Sequence, residues 1–429
     1  MSLTAGLAHS EFKRTNWYYI MKTYVSTTDD KPHQTPPALP SLPIVAIAGT
    51  RGKSTVSWLL NEILEAERMR VGLWTTSGVF MNGEHLVGEL GPWSDVVSNL
   101  ARGELDVAIQ ELEDPVVTGV GLPEHTYPLA AISSLCGNND ECLITSEAAQ
   151  GAQAQHIVAR AVRPDGFLVL NADDQAVLTA AEETEASVTL FALHPDNPTL
   201  RRHIEEGGNA IWLEDDQVIV CCDGNQRAIA DVSTASFTLG GSLTFQLQNL
   251  LCAAALAWHM GIDPDSIASG VRTFQPDVEL LPGSCNIVPL DNATILLDSA
   301  RHVWTVRSLI RGIRDTAFNR TVVVTDCFPH LGEEQTREAG RLIGRVADVV
   351  VTQRHPDIEE SLTHFKEGLA NNDVPPLVFT MPSEIDGIER AIRMLDSGDL
   401  CLILTQYVFE AISRVRAASR TQVDAEPAN

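Results

Sequence analysis

Residues Ile44-Val-Ala-Ile-Ala-Gly-Thr-Arg-Gly-Lys-Ser-Thr-Val-Ser-Trp-Leu-Leu60 read as an apolar strand, a glycine-bearing loop and the start of a helix. Lys53 and Ser54 fall where that helix begins. A helix start offers free backbone N–H groups and the positive end of a dipole, which suits a phosphate. Gly49 and Gly52 let the loop wrap closely around an anion. In such a loop the lysine reaches the outer phosphates and the Ser54 hydroxyl holds Mg²⁺. The general form of this loop has a glycine five positions before the Gly-Lys pair, where this chain has Ile47. The shorter form Gly-Thr-x-Gly-Lys-Ser fits. A bare G-x-x-G-K-[ST] arises by chance in about one or two chains per hundred of this size, so the flanking strand and helix are what give it weight. The stretch predicts a nucleoside triphosphate site formed by Gly49, Thr50, Arg51, Gly52, Lys53, Ser54 and Thr55.

The chain has 429 residues, enough for two or three domains, and 44% of them are apolar. With 57 acidic and 30 basic residues the net charge is −27. That balance argues against a broad nucleic-acid footprint or an anionic-membrane surface. The eight cysteines form no C-x-x-C pair, and several lie in apolar runs, as buried thiols do in a reducing compartment. No apolar stretch is long enough to span a bilayer, and Glu11, Lys13 and Arg14 interrupt any signal-peptide core. The expected location is cytoplasmic.

Residues 1–43 read as an N-terminal extension ending in a proline-rich linker. From Ile44, apolar runs alternate with helical patterns. Strands are expected at Ile44–Ala48, Val71–Trp74, Val107–Gln110, Leu129–Ile132 and Phe167–Leu170, with helices at Thr55–Ala66 and Glu147–Ala161 between them. Ala210–Cys222 reads as a small inserted hairpin before a helix at Gln246–Met260. A further block carries strands at Thr294–Leu297, Thr321–Val324, Asp348–Thr352, Leu377–Thr380 and Leu400–Leu404. The expected fold class is α/β: a P-loop-type, mainly parallel sheet in a central domain over 44–278, and a second, doubly wound α/β domain over 279–429.

The loop is followed by Val71-Gly-Leu-Trp-Thr-Thr-Ser-Gly78, then Asp106-Val-Ala-Ile-Gln-Glu111, Val162-Arg-Pro-Asp-Gly-Phe-Leu-Val-Leu-Asn-Ala-Asp-Asp174, Gln248-Asn-Leu-Leu-Cys-Ala-Ala-Ala-Leu-Ala-Trp258, Leu281-Pro-Gly-Ser-Cys-Asn286 and Leu296-Leu-Asp-Ser-Ala-Arg-His302. In this order the motifs resemble the Mur ligase superfamily over roughly residues 44–415, and within it the Mur-like half of cyanophycin synthetases. Arg51 in Gly-Thr-Arg-Gly-Lys-Ser-Thr is also similar to poly-γ-glutamate synthases. The resemblance implies ATP-dependent amide bond formation through an acyl phosphate, with ATP and Mg²⁺ as cofactors. It implies that Lys53 contacts the β- and γ-phosphates and that Ser54 and Glu111 hold Mg²⁺, with Thr75 or Ser77 near the metal. Asn249 would meet adenine, and Asp298 would reach the nucleotide from the second domain on closure. The implied partner is an amino-acid, peptide or poly-amino-acid substrate, with a homo-oligomer or a partner ligase subunit left open.

The chain departs from the family pattern at several points. Asn139 stands where relatives have a histidine that helps hold a second Mg²⁺. Gln155 falls near the family's carbamylated lysine, and Ser284 replaces the arginine of Pro-Gly-Arg. Arg301 and His302 replace the end of Asp-Tyr-Ala-His-Asn. Glu113 and Asp114 add charge beside the expected metal and read as solvated loop carboxylates. Asp173-Asp174 reads as a structural turn, and His330, Glu333 and Glu334 as a solvated loop. These departures keep a second reading in play: a nucleotide-binding scaffold or regulator that has lost ligase chemistry.

Overall fold

A computed structural model describes residues 42–87, 91–135, 146–290, 293–314 and 316–423. The chain divides between Phe274 and Gln275 into two compact units.

In the first unit, β1 (Ile44–Ala48) is five consecutive buried apolar residues. Such a strand belongs in the middle of a parallel sheet covered on both faces. It pairs in parallel with β5 (Val107–Glu111) and β6 (Tyr127–Ile132). The described sheet has 11 strands in the order β11-β10-β9-β8-β7-β6-β1-β5-β2-β3-β4. Its remaining members are β2 (Val71–Thr75), β3 (Gly78–Met81), β4 (Glu84–Leu86), β7 (Val162–Asn171), β8 (Ser187–Ala192), β9 (Asn209–Glu214), β10 (Gln217–Cys222) and β11 (Asn225–Asp231). The run from β9 to β2 is parallel, and both ends finish in antiparallel hairpins. The stretch expected to be an inserted hairpin is a continuation of the main sheet, because β9 pairs in parallel with β8. Its turn, Asp215-Asp216, has both residues at positive φ, the conformation a two-residue hairpin needs.

Helix α1 (Lys53–Ala66) buries Val56, Leu59, Leu60, Ile63 and Leu64, a stripe at helical spacing. Helices α2 (Pro92–Ala101), α3 (Asp114–Gly119), α4 (Ser146–Arg160), α5 (Gln175–Leu178) and α6 (Pro198–Glu205) follow. Helix α7 (Thr244–His259) is buried on all sides from Gln246 to His259, and α8 (Pro264–Thr273) packs beside it. Both α7 and α8 lie against α1. The start of α1 is therefore fixed by its own strand and by two neighbouring helices.

The second unit has a sheet of six described strands in the order β12-β13-β17-β14-β15-β16. These are β12 (Asn286–Leu290), β13 (Ala293–Asp298), β14 (Thr321–Thr325), β15 (Val349–Gln353), β16 (Leu377–Met381) and β17 (Leu400–Leu404). Only β12 is antiparallel to its neighbour. Helices α9 (Val303–Arg314), α10 (Glu333–Ile343) and α11 (Glu359–Ala370) pack in sequence, and α12 (Glu384–Arg393) packs on α13 (Val408–Val423). Two helix sets around a parallel sheet make the doubly wound arrangement expected from the sequence.

Candidate functional site

The loop between β1 and α1 is a tight cradle. Gly49 and Gly52 have φ of 121° and 92°, a region closed to most side chains. A Cβ at Gly49 would lie 2.5 Å from Ser133 Oγ, and one at Gly52 would lie 2.1 Å from Asn249 Oδ1. Thr50 N–H donates to the Ser134 carbonyl at 2.7 Å. The hydroxyls of Ser133 and Ser134 donate to the Arg51 carbonyl at 2.7 and 3.1 Å. The Arg51 guanidinium lies 4.1 Å from the centre of the Phe245 ring. No side chain caps α1, and no acidic residue occupies its first turn. The helix start thus keeps its first N–H groups for an anion.

Three charged or polar side chains converge there. Lys53 is buried, and its Nζ donates to the Gly49 carbonyl at 2.9 Å. The same Nζ lies 3.4 Å from Glu113 Oε1, whose side chain is 42% exposed. Ser54 Oγ is 2.8 and 3.0 Å from the two oxygens of Glu111. Thr76 N–H donates to Glu111 Oε2 at 3.3 Å, and Thr76 Oγ1 is 3.4 Å from Ser54 Oγ. Burial pushes the Glu111 carboxyl up to about 7, against the pull of Lys53 and the Ser54 hydroxyl. Burial also raises Asp114, with Lys53 opposing.

Thr75 is not the residue placed at Glu111. Its hydroxyl accepts the Ser77 N–H at 3.2 Å and so closes its own turn. Thr76 takes the position instead, because the parallel register of β2 on β5 sets Trp74 beside Gln110 and brings the end of β2 level with Glu111. Glu113 and Asp114 are not free loop carboxylates either. Glu113 faces Lys53, and Asp114 Oδ1 is buried without a hydrogen-bond partner among the described residues.

Other unpaired polar atoms lie close by. Thr50 Oγ1 is buried without a partner among the described residues, and Asp114 Oδ2 and Thr50 Oγ1 lie 3.2 and 3.3 Å from the Cβ position of Gly151 on α4. One turn further along α4, Gln155 is 0% exposed, and both its amide atoms lack partners among the described residues. Each such group costs about 1–3 kcal/mol if left dry. Stranded polar atoms beside a cradle of backbone amides fit a polar ligand. For a hard cation such as Mg²⁺, Glu111, Asp114 and the Ser54 hydroxyl supply oxygen donors of the right kind. Among the described residues no group of three or more His, Cys, Asp or Glu could hold a metal by itself.

Asn249 packs on the loop and donates to Gln246 Oε1 at 2.9 Å. Asp173 accepts from Leu193 N–H and Asn197 Nδ2, while Asp174 accepts from Leu135 N–H and caps α5. Both are structural, as the sequence suggested. Asn139 lies outside the described residues. Asp298 belongs to the second unit, where its carboxylate accepts the N–H groups of Cys285 and Ala300 at 3.1 and 2.8 Å. Ser284 N–H donates to the Leu281 carbonyl. His302 stacks on Trp304, and His330 Nε2 is 2.8 Å from the Arg301 carbonyl. Glu333 pairs with Arg337, and Glu334 is exposed in the first turn of α10.

No protein-family model matches the chain. It is 25% identical to a cyanophycin synthetase of Trichormus variabilis over 383 residues, which cover 87% of this chain and 42% of that one. The chain thus spans less than half the length of the curated cyanophycin synthetases it matches. Its fold is similar to that of a UDP-N-acetylmuramoyl-L-alanyl-D-glutamate–2,6-diaminopimelate ligase, with a TM-score of 0.62, 15% identity and coverage of 97% of this chain and 83% of that one. It is also similar to E. coli FolC in complex with DHPP and ADP, with a TM-score of 0.61, 14% identity and coverage of 95% and 98%. The ordered motifs, the relatives and the two α/β units agree: the chain is similar to cyanophycin synthetases in sequence and to Mur ligases in fold.

Proposed function

We propose that the chain is an ATP-dependent carboxylate–amine ligase acting on an amino acid, a peptide or a poly-amino acid. The observation that carries this reading is the meeting of Lys53, Ser54 and Glu111 at the uncapped start of α1. A phosphate chain would lie over the amides of the Gly49–Ser54 turn. Lys53 would exchange Glu113 for phosphate oxygen, a trade of one anion for another that leaves its charge paired. Ser54 and Glu111, with Asp114 nearby, would hold Mg²⁺, which when bound neutralises charge on the β- and γ-phosphates. Asn249 keeps the turn in shape and would sit on the adenine side. The substrate carboxylate attacks the γ-phosphorus and ADP leaves. The amine then attacks the acyl carbon, phosphate departs and the amine gives up a proton. The protein's share is positioning and charge neutralisation.

The related ADP-bound FolC structure and the cyanophycin synthetases support this reading, and the ligase and synthetase names among the relatives lend none to the scaffold alternative. The test is thermal unfolding with and without Mg²⁺ and ATP, followed by an assay of ADP release. Wild type should be stabilised by the nucleotide, Lys53→Ala should not, and ADP release should require an added peptide or poly-acid acceptor. Stabilisation with no acceptor-dependent turnover, across amino-acid, peptide and poly-acid acceptors, would reject the ligase.

A further inference from the structure

The chain carries nearly two acidic residues for every basic one, yet one cavity of the second unit is built from arginine. Its lining is Arg307, Arg311 and Arg314 of α9, Arg341 of α10, Arg345 just beyond α10, and the apolar Ile310 and Leu342. On α9 the arginines fall at i, i+4 and i+7, a single stripe of the helix, and Arg341 and Arg345 repeat the i, i+4 step. The cavity holds about 150 Å³.

Local pairing and helix ends account for only part of this. Glu338 takes both forks: Arg341 Nε and Nη2 reach its two oxygens at 2.6 and 2.5 Å, and Arg307 Nη2 lies 3.3 Å away. The Arg341 hydrogen bonds hold the Glu338 carboxyl below its ordinary value. The C-terminal ends of α9 and α10 favour a cation each, and Arg311, Arg314 and Arg341 lie in those last turns. Arg311 and Arg345 have no ion-pair or hydrogen-bond partner for their guanidinium groups among the described residues, and both are exposed. Arg311 and Arg345 therefore add positive charge to the cavity that no carboxylate among the described residues pairs, in a strongly negative chain.

We propose that this cavity is a binding site for a small polyvalent oxyanion, a phosphate or a di- or tricarboxylate. Guanidinium forks match carboxylate and phosphate oxygens in pairs. Arg307 and Arg341 are already oriented by Glu338, so part of the ordering cost is met before the ligand arrives. A volume of about 150 Å³ takes a group a few times the size of a water molecule. The chain's overall charge disfavours the nucleic-acid backbone as the occupant.

The test is thermal unfolding and titration calorimetry of the full chain with inorganic phosphate or citrate, against sodium chloride at matched ionic strength. Saturating anion should raise Tm by about 3 °C. The effect should survive Lys53→Ala, because it does not use the phosphate loop. The double variant Arg311→Gln/Arg345→Gln should weaken binding at least about tenfold, and each single variant should show part of that loss. A response to phosphate alone or to citrate alone identifies the natural ligand's chemistry and supports the site. No response beyond chloride, loss of the response in Lys53→Ala, or an undiminished response in the double variant would overturn it.

Discussion

Glu111 accepts hydrogen bonds from Ser54 and Thr76, yet its burial keeps the carboxyl at about 7 against an ordinary 4.5. Between those two values the folded chain holds a proton that the unfolded chain gives up. Its contribution to stability is therefore fullest below pH 4.5 and falls as pH rises to about 7. Glu111→Gln should remove that slope and make the ligand-free protein more stable at pH 8 than wild type, by at most about 3 kcal/mol. The same variant should lose most of its stabilisation by Mg²⁺ and ATP. Urea midpoints at pH 5 and pH 8 decide it, since parallel profiles for the two proteins would remove Glu111 as the source. Gly52 answers to a different constraint. Its positive φ and its closeness to Asn249 Oδ1 leave no room for a methyl group. Gly52→Ala should cost about 1–3 kcal/mol, read as a lower urea midpoint, and weaken ATP binding.

Helices α10 and α11 meet backbone to backbone. A Cβ at Gly368 would lie 2.0 Å from the Arg337 carbonyl oxygen, and one at Gly340 would lie 2.2 Å from that of Phe365. Gly368→Ala should force the helices apart and cost about 1–3 kcal/mol, read as a lower urea midpoint with an unchanged slope. At this scale the strands with continuous apolar runs were legible: β1 and β17 occupy the residues their composition marks, and α1 begins two residues before its expected start. Short or polar strands were not. β4 is three residues, Glu84-His-Leu86, and β12 carries Pro289, which an edge strand tolerates and a sequence pattern reads as a break. β8 begins Ser-Val-Thr and shows its apolar half only at its end. The site divides the same way. The loop residues and Lys53 follow from contiguous sequence. Thr76 and Glu113 required the register between β2, β5 and β1 and the path of the chain after β5, which no local pattern contains. The arginine cavity required two helices to pack side by side, although the i, i+4 steps on each were visible separately.

Over the whole molecule the excess of 27 negative charges works against compaction, since like charges brought together on folding repel one another. The repulsion acts between exposed groups, so it is screened once the Debye length falls to about 10 Å near 0.1 M salt. Paired carboxylates such as Asp106 with Arg70 and Asp399 with Arg320 are satisfied at short range and respond little. The unpaired surface carboxylates should dominate the salt response. Raising sodium chloride from about 10 mM to about 200 mM should therefore raise Tm by several degrees. The gain should level off above that range, because further screening removes little additional repulsion. This response is general and depends on ionic strength, while the response at the arginine cavity depends on which anion is present. Melting curves in sodium chloride and in citrate separate the two. A Tm that falls on adding sodium chloride would mean that ion pairs of the kind made by Arg320 and Arg337 outweigh the net repulsion.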